Sequence, residues 1–175
     1  YAYIMFDEVE NLGRKVFGFW IINAQFDDPS TKFTLPIIDF PAQINYGDSW
    51  TTTAEYPNTL LGIPAVYTEV QTFDVDAYGY LELPELGILE CLRINSVKDF
   101  SAAIDFNGTG TFTNIDRQFA RIYYWLVPGK GIAAQMVSEP SGNPVSEQFN
   151  LATMFQRMFE TNKVAKDAGC REAEP

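Results

Sequence analysis

Arg117-Gln118-Phe119-Ala120-Arg121-Ile122-Tyr123-Tyr124-Trp125-Leu126-Val127 is the stretch whose reading decides the fold. Successive side chains of a strand point to opposite faces. On that period Phe119, Arg121, Tyr123, Trp125 and Val127 share one face, and Ala120, Ile122, Tyr124 and Leu126 share the other. Aromatic and β-branched residues favour a pleated, half-buried surface. With rings on both faces, at least one face needs a cover. Pro128-Gly129-Lys130-Gly131 turns the chain into a partner strand over 132–138.

The same period recurs on the N-terminal side. Over 88–97, Ile88, Glu90, Leu92 and Ile94 oppose Leu89, Cys91, Arg93 and Asn95. Residues 66–76 alternate as well, and turns are expected at Tyr78-Gly79 and near Pro84-Glu85-Leu86-Gly87. Gly47-Asp48-Ser49-Trp50 is a turn into a Thr-rich strand, and Asn58 to Pro64 is a further turn region. Residues 1–10 and 14–26 flank Asn11-Leu12-Gly13 as a hairpin. Its second arm, Val16-Phe17-Gly18-Phe19-Trp20-Ile21-Ile22, is apolar on both faces and reads as a central strand. Pro36 and Pro41 confine 33–46 to an edge or an extended connection. The expected fold is all-β, a sandwich or strongly curved antiparallel sheet of about eight or nine strands.

A β domain therefore spans 1–138, and a linker, 139–145, contains Pro140-Ser141-Gly142-Asn143-Pro144. Beyond it the spacing predicts one C-terminal α-helix over 146–169, capped by Ser146 or Asn150 and stopped by Gly169, then a tail over 170–175. Leu151, Met154, Phe155, Met158 and Phe159 fall on one helical stripe. That stripe either packs on its own sheet or docks onto a neighbouring subunit, with Met154, Phe155, Met158 and Phe159 as the interface.

Composition narrows function by removal. The 175 residues contain no histidine, which takes away Ser-His-Asp and Cys-His catalysis and His-ligated zinc or haem. Two cysteines are too few for an all-thiolate zinc site. A formal charge of −11 disfavours nucleic acid and anionic membranes, and no apolar run is long enough to span a bilayer as a helix. The chain opens without a Met, directly in Tyr1-Ala2-Tyr3-Ile4-Met5-Phe6, as a processed mature end or a fragment would.

Four constellations remain. Asp74 and Asp76 lie two apart on one strand face, a spacing that admits a carboxylate pair for glycoside hydrolysis. The same residues with Gly79 and Glu85 partly match a calcium loop, with Asp74, Asp76 and Glu85 as ligands of an irregular site; Asp105, Asn107, Thr109, Gly110 and Asp116 form a looser second match. Trp20, Phe73, Tyr123 and Trp125 are the candidate lining of an apolar or sugar-binding groove, the alternative being plain core packing. Cys91 and Cys170 form either an internal disulfide or an intermolecular bond, or remain free thiols.

Ile44-Asn45-Tyr46-Gly47-Asp48-Ser49-Trp50, Val75-Asp76-Ala77-Tyr78-Gly79-Tyr80-Leu81-Glu82-Leu83-Pro84 and Leu89-Glu90-Cys91-Leu92-Arg93-Ile94, with the Tyr-rich strand ending at Pro128-Gly129, carry a resemblance over roughly 1–138. They resemble a group of secreted β-proteins of Bacteroidota and related bacteria, with a Gly-Asp-x-Trp turn, a D-A-Y-G-x-L-x-L-P hairpin and a V/C-L-R-V strand. The resemblance implies an extracellular or periplasmic place in the cell envelope and implies no reaction. At fold level the chain is also similar to lipoprotein-carrier half-barrels. The expected protein is thus an exported, non-catalytic interaction or assembly subunit of a surface, filament or envelope complex. It requires no cofactor unless calcium fills a loop, and its partners are protein subunits, self or hetero. The alternative is a binder or carrier of a hydrophobic or carbohydrate ligand, and the third reading is a carbohydrate-active enzyme.

Overall fold

Buried and exposed positions alternate strictly where the sequence alternates: Thr52, Ala54 and Tyr56 are buried, while Thr51, Thr53 and Glu55 between them face solvent. The computed structural model describes residues 2–21 and 30–159, and the side chains from Ile4 to Phe19 and from Thr31 to Phe159. Among the described residues the chain is all-β: β1 (Ala2–Val9), β2 (Gly13–Ile21), β3 (Ser30–Pro41), β4 (Ser49–Leu60), β5 (Ile63–Leu83), β6 (Gly87–Ile104), β7 (Thr113–Val127), β8 (Gly131–Ser138) and β9 (Ala152–Arg157). They form two antiparallel sheets, a three-stranded one in the order β1-β2-β3 and a six-stranded one in the order β4-β5-β6-β7-β8-β9. Every neighbour in a sheet is also the neighbour in sequence, so no connection crosses over another strand.

Aromatic rings join the two sheets. Phe40 of β3 meets Trp50, Phe73 and Tyr124 at 6.3, 5.8 and 5.4 Å between centroids, and Phe73 stacks on Trp50 at 4.8 Å. Phe19 and Phe33 close on Tyr56 at 5.2 and 5.9 Å. The Trp50 indole N–H donates to the Asp39 carbonyl at 2.9 Å, which satisfies the one polar atom this contact buries. Phe73, Val75, Ile94, Ile122 and Tyr124 form the core beneath. Inside it the Gln71 amide donates to Ser96 Oγ at 2.8 Å and to the Tyr124 hydroxyl at 3.1 Å, and the Ser96 hydroxyl donates to the Thr72 carbonyl at 2.7 Å. A satisfied buried network of this kind fixes one register across three strands.

That network makes alkaline pH a probe of the core. Burial pushes the Tyr124 hydroxyl up to about 12, the Gln71 hydrogen bond partly opposing it. The unfolded chain releases the same proton near its ordinary value of about 10. Above that value the native state binds more protons than the unfolded state. The contribution, roughly 2–3 kcal/mol, is therefore complete below about pH 10 and is lost as pH rises through about 12. Urea midpoints at about pH 9 and about pH 12 should fall for the wild type and fall less for Tyr124→Phe. Equal falls would assign the alkaline loss to other groups.

A β-bulge between Val75 and Ala77 changes which face β5 buries. Before it Gln71, Phe73 and Val75 face the three-stranded sheet. After it the buried side carries Leu81 and Leu83, which join Cys91, Val127 and Ala133 in a second cluster on the opposite face. Tyr78 and Gly79, expected as a turn, instead lie inside β5; the chain reverses only beyond Leu83. Gly79 pairs with Cys91 in the ladder, so it needs no turn conformation there.

The C-terminal region also differs from expectation. Residues 146–151 are irregular and Ala152–Arg157 is β9, paired with β8, where a helix over 146–169 was expected; residues 160–169 lie outside the described ones. The reason is geometric. Residues four apart share a face in a helix and, being an even number apart, in a strand as well. Met154 with Met158 and Phe155 with Phe159 therefore satisfy both periods. The open edge of β8 decides between them, since its backbone donors and acceptors need partners. The six-stranded sheet thus runs past the expected boundary at 138, and the linker is longer than 139–145. It lies across the sheet, held by the Arg121 guanidinium to the Val145 carbonyl at 3.0 Å and by the Tyr123 hydroxyl to the Glu147 carbonyl at 2.9 Å.

Candidate functional site

Of the candidate groove residues, Tyr123 and Trp125 meet at 6.3 Å between ring centroids, and Phe73 lies apart from them. Phe73 is 1% exposed and lies in the core between the sheets. Tyr123 and Trp125 lie on the other face of the six-stranded sheet, because Phe73 aligns with Ser96 and Ile122 while 123 and 125 alternate away. There Tyr123 stacks on Phe149 at 6.0 Å and lies under the Arg93 guanidinium at 5.1 Å. Trp20 belongs to β2, and its side chain lies outside the described residues. Phe73 and the pair Tyr123 and Trp125 thus pack on two different faces of the six-stranded sheet.

The carboxylates separate as well. Asp76, the extra residue of the bulge, accepts both Nε and an Nη of Arg93 at 2.9 Å. Asp74 lies opposite Ser49 and Asn95, and Glu85 sits at the far turn, ~30 Å along the strand at the usual rise per residue. An unbroken β5 replaces the loop that calcium ligation by Asp74, Asp76 and Glu85 would need. In the second loop Asp105 accepts the backbone N–H groups of Asn107, Thr109 and Gly110 at 3.3, 3.2 and 2.7 Å. Those bonds, the Gly110 one foremost, hold its carboxyl below the usual range.

Cys91 is buried against Leu83, Val127 and Ala133, and burial pushes its thiol up. Its expected partner Cys170 lies outside the described residues. Of the terminal stripe, Phe155 and Phe159 are exposed while Met154 and Met158 are half-buried. The Met158 N–H donates to the Ala133 carbonyl at 2.7 Å.

Two features that the sequence did not single out form a continuous surface. The first is a cleft of about 970 Å³ between the β1–β2 turn, the end of β3 and the β7–β8 turn. Phe40, Ile44, Leu92, Leu126 and Ile132 give it apolar walls; Glu8, Glu10 and Lys130 stand at its rim. Arg14 also lines it, with its charge matched by a two-pronged bond to Asp39 and its plane over Phe40 at 4.7 Å. The second feature is the arm of β5 and β6 beyond the bulge. Leu92 of the cleft is the ladder partner of Tyr78, so the cleft face continues onto the arm. Tyr78, Tyr80 and Ile88 there are 73, 80 and 69% exposed. Tyr46 closes edge-on against Tyr78 at 5.2 Å, and Glu82 and Glu90 stand exposed beside Tyr80.

A row of large apolar side chains on one flat face marks a contact surface. A recess with apolar walls and a few polar groups at its rim suits an amphipathic occupant. The carboxyl shifts that are resolved, at Asp99 and Asp105, are both downward, set first by Arg117 and by Gly110 respectively. Such carboxylates serve as hydrogen-bond acceptors for their own loops and strands. Comparison of the chain with protein-family models, curated proteins and solved structures finds no match.

Proposed function

We propose that this protein is an exported, non-catalytic interaction subunit of a cell-envelope or extracellular complex, and that the tyrosine-bearing face of the β5–β6 arm is its contact surface. One observation carries the reading: Tyr78, Tyr80 and Ile88 are mostly solvent-exposed while the opposite face of the same arm buries Leu83 and Cys91. An amphipathic hairpin that turns its aromatic side outward is built for a second surface. The exported location rests on the resemblance carried by the Gly47–Trp50 turn and the 75–84 stretch. On this reading the two sheets are the layers of a sandwich whose end opens into the cleft. A second reading, a carrier of an apolar ligand, is favoured by that cleft, whose volume lies in the range of small-molecule sites.

Native mass spectrometry of the protein isolated from its host without detergent tests both. The expected result is a protein complex that Tyr78→Ser/Tyr80→Ser/Ile88→Ser reduces to the single chain, with far-UV circular dichroism unchanged. Those three changes replace exposed side chains, so the fold should lose little, within about 0.5 kcal/mol each. A single chain in both samples sinks the interaction reading. A single chain that carries a bound apolar molecule puts the carrier reading in its place.

A further inference from the structure

Three times this fold places an arginine between a carboxylate and an aromatic ring. Arg14 pairs with Asp39 over Phe40, Arg93 with Asp76 over Tyr123, and Arg117 with Asp99 over Phe119. In the last of these the carboxylate and the ring are direct ladder partners, Asp99 opposite Phe119, and the arginine stands two residues before the ring. The arm repeats the first two components: Glu90 is the direct ladder partner of Tyr80. The position two before that ring is Tyr78 and the one two after is Glu82. Among the described residues no cation lies over Tyr78 or Tyr80, and neither Glu82 nor Glu90 forms an ion pair.

The arm also has an open edge. β4 pairs with β5 only as far as Asp74, and the connection preceding β4 adds backbone bonds between Gly47 or Asp48 and Val75. Beyond that point β5 continues to Leu83, paired with β6 on one side and, among the described residues, with no strand on the other. A strand edge of this kind accepts an extended chain through main-chain bonds. A segment seated there would hold alternate side chains beside Tyr78 and Tyr80 at cross-strand distance.

From these two observations we infer that residues 77–83 capture an extended segment of a partner protein as an added strand, with basic residues at alternate positions completing the ring–carboxylate pairs of the arm. The inference rests on the interaction reading and specifies the partner's chemistry. The charge around the surface agrees with it. Among the described residues lining the cleft, Glu8 and Glu10 stand with one cation, Lys130, once Arg14 is counted with Asp39, and Glu82 and Glu90 add two exposed carboxylates on the arm. Arginine suits the seat better than lysine, since its plane stacks on a ring while its fork bonds a carboxylate.

The experiment titrates the full chain with the synthetic peptide Ac-Arg-Val-Arg-Thr-Arg-Val-amide and follows backbone amides by nitrogen–proton correlation spectra and hydrogen exchange. Saturable shifts and new exchange protection confined to 77–83 are expected. Affinity should fall about threefold in Tyr80→Leu, which keeps the apolar bulk but removes the ring. It should fall more than about tenfold in Tyr80→Leu/Glu90→Gln, and should weaken as salt is raised. Equal binding of the Glu-for-Arg peptide, no binding of the Arg peptide, or shifts without protection at 77–83 would each overturn the inference. So would preferential binding of a neutral hexasaccharide at the same residues. Failure here is separable from failure of the interaction reading. A host complex lost in the triple serine variant, beside an Arg peptide that does not bind, overturns only the captured-strand chemistry. The reverse pair of results overturns only the complex.

Discussion

Phe73→Ala should cost about 3–5 kcal/mol, the largest loss expected from a single truncation in this chain. Phe73 is 1% exposed, stacks on Trp50 at 4.8 Å, and lies within 5.8 Å of Phe40 and 6.3 Å of Tyr124. Each of those neighbours sits on a different strand, so none can swing in to fill the space alone. The cost therefore contains the lost transfer energy and most of the cavity term. For a chain of this size the melting temperature should drop by about 10 °C, at about 2–4 °C per kcal/mol. Phe155→Ala is the control, because Phe155 is exposed on β9 and its loss should stay within about 0.5 kcal/mol. Urea midpoints of the two variants measure the contrast. A Phe73→Ala loss below about 1.5 kcal/mol would mean that the contact between the sheets is not the centre of the core.

The strands that make this core were legible because their periodicity is local. Residues 117–127 alternate without interruption and form most of β7. Val16–Ile21, apolar on both faces in the sequence, lies in the central strand of the three-stranded sheet, and Pro36 and Pro41 sit in β3 at its edge. What the sequence could not show is which of two equivalent periods a segment takes. Met154/Met158 and Phe155/Phe159 obey helix and strand alike, and only the long-range edge of β8 selects the strand. Gly79 illustrates the converse error: a glycine flanked by Tyr78 and Tyr80 looks like punctuation, yet the ladder partner Cys91 holds it extended. The bulge at Asp76 matters more, since an inserted residue exchanges the faces of everything beyond it. Carried past Asp76 without it, the period puts Tyr78 and Tyr80 on the face of Thr72 and Asp74, opposite Phe73, and the arm's place beside the cleft stays invisible. The cleft is harder still to read, because its walls come from turns at opposite ends of the chain, Val9–Gly13 and Val127–Gly131.

The second large effect follows from how the three-stranded sheet is fastened. Gly13 has φ +113°, and a Cβ there would stand 2.2 Å from the Phe40 carbonyl oxygen and 2.7 Å from the Ala42 nitrogen and the Pro41 carbonyl carbon. All three are backbone atoms, held by the β2–β3 ladder and by the Ala42 N–H on the Leu12 carbonyl, so a side chain cannot be accommodated by a rotamer change. Gly13→Ala should therefore cost about 2–4 kcal/mol, combining backbone strain with a displaced β3. The loss should also be local. Gly13 pairs with Pro41, next to the ring of Phe40 that reaches Trp50, Phe73 and Tyr124, so β1–β3 should loosen first. Hydrogen exchange checks the order: amides of β2 and β3 should lose protection while those of the central β5 and β6 keep most of theirs. Uniform loss would mean that the two sheets unfold as one unit, and unchanged protection would mean that the turn yields to the added carbon. The arm supplies an independent check. Leu83 and Cys91 pack on Val127 and Ala133 of the six-stranded sheet, with no residue of β1–β3 in the cluster among the described residues. Capture of the arginine peptide at 77–83 should accordingly survive Gly13→Ala, while the cleft beside it, walled on one side by Gly13, Arg14 and Phe40, loses its shape.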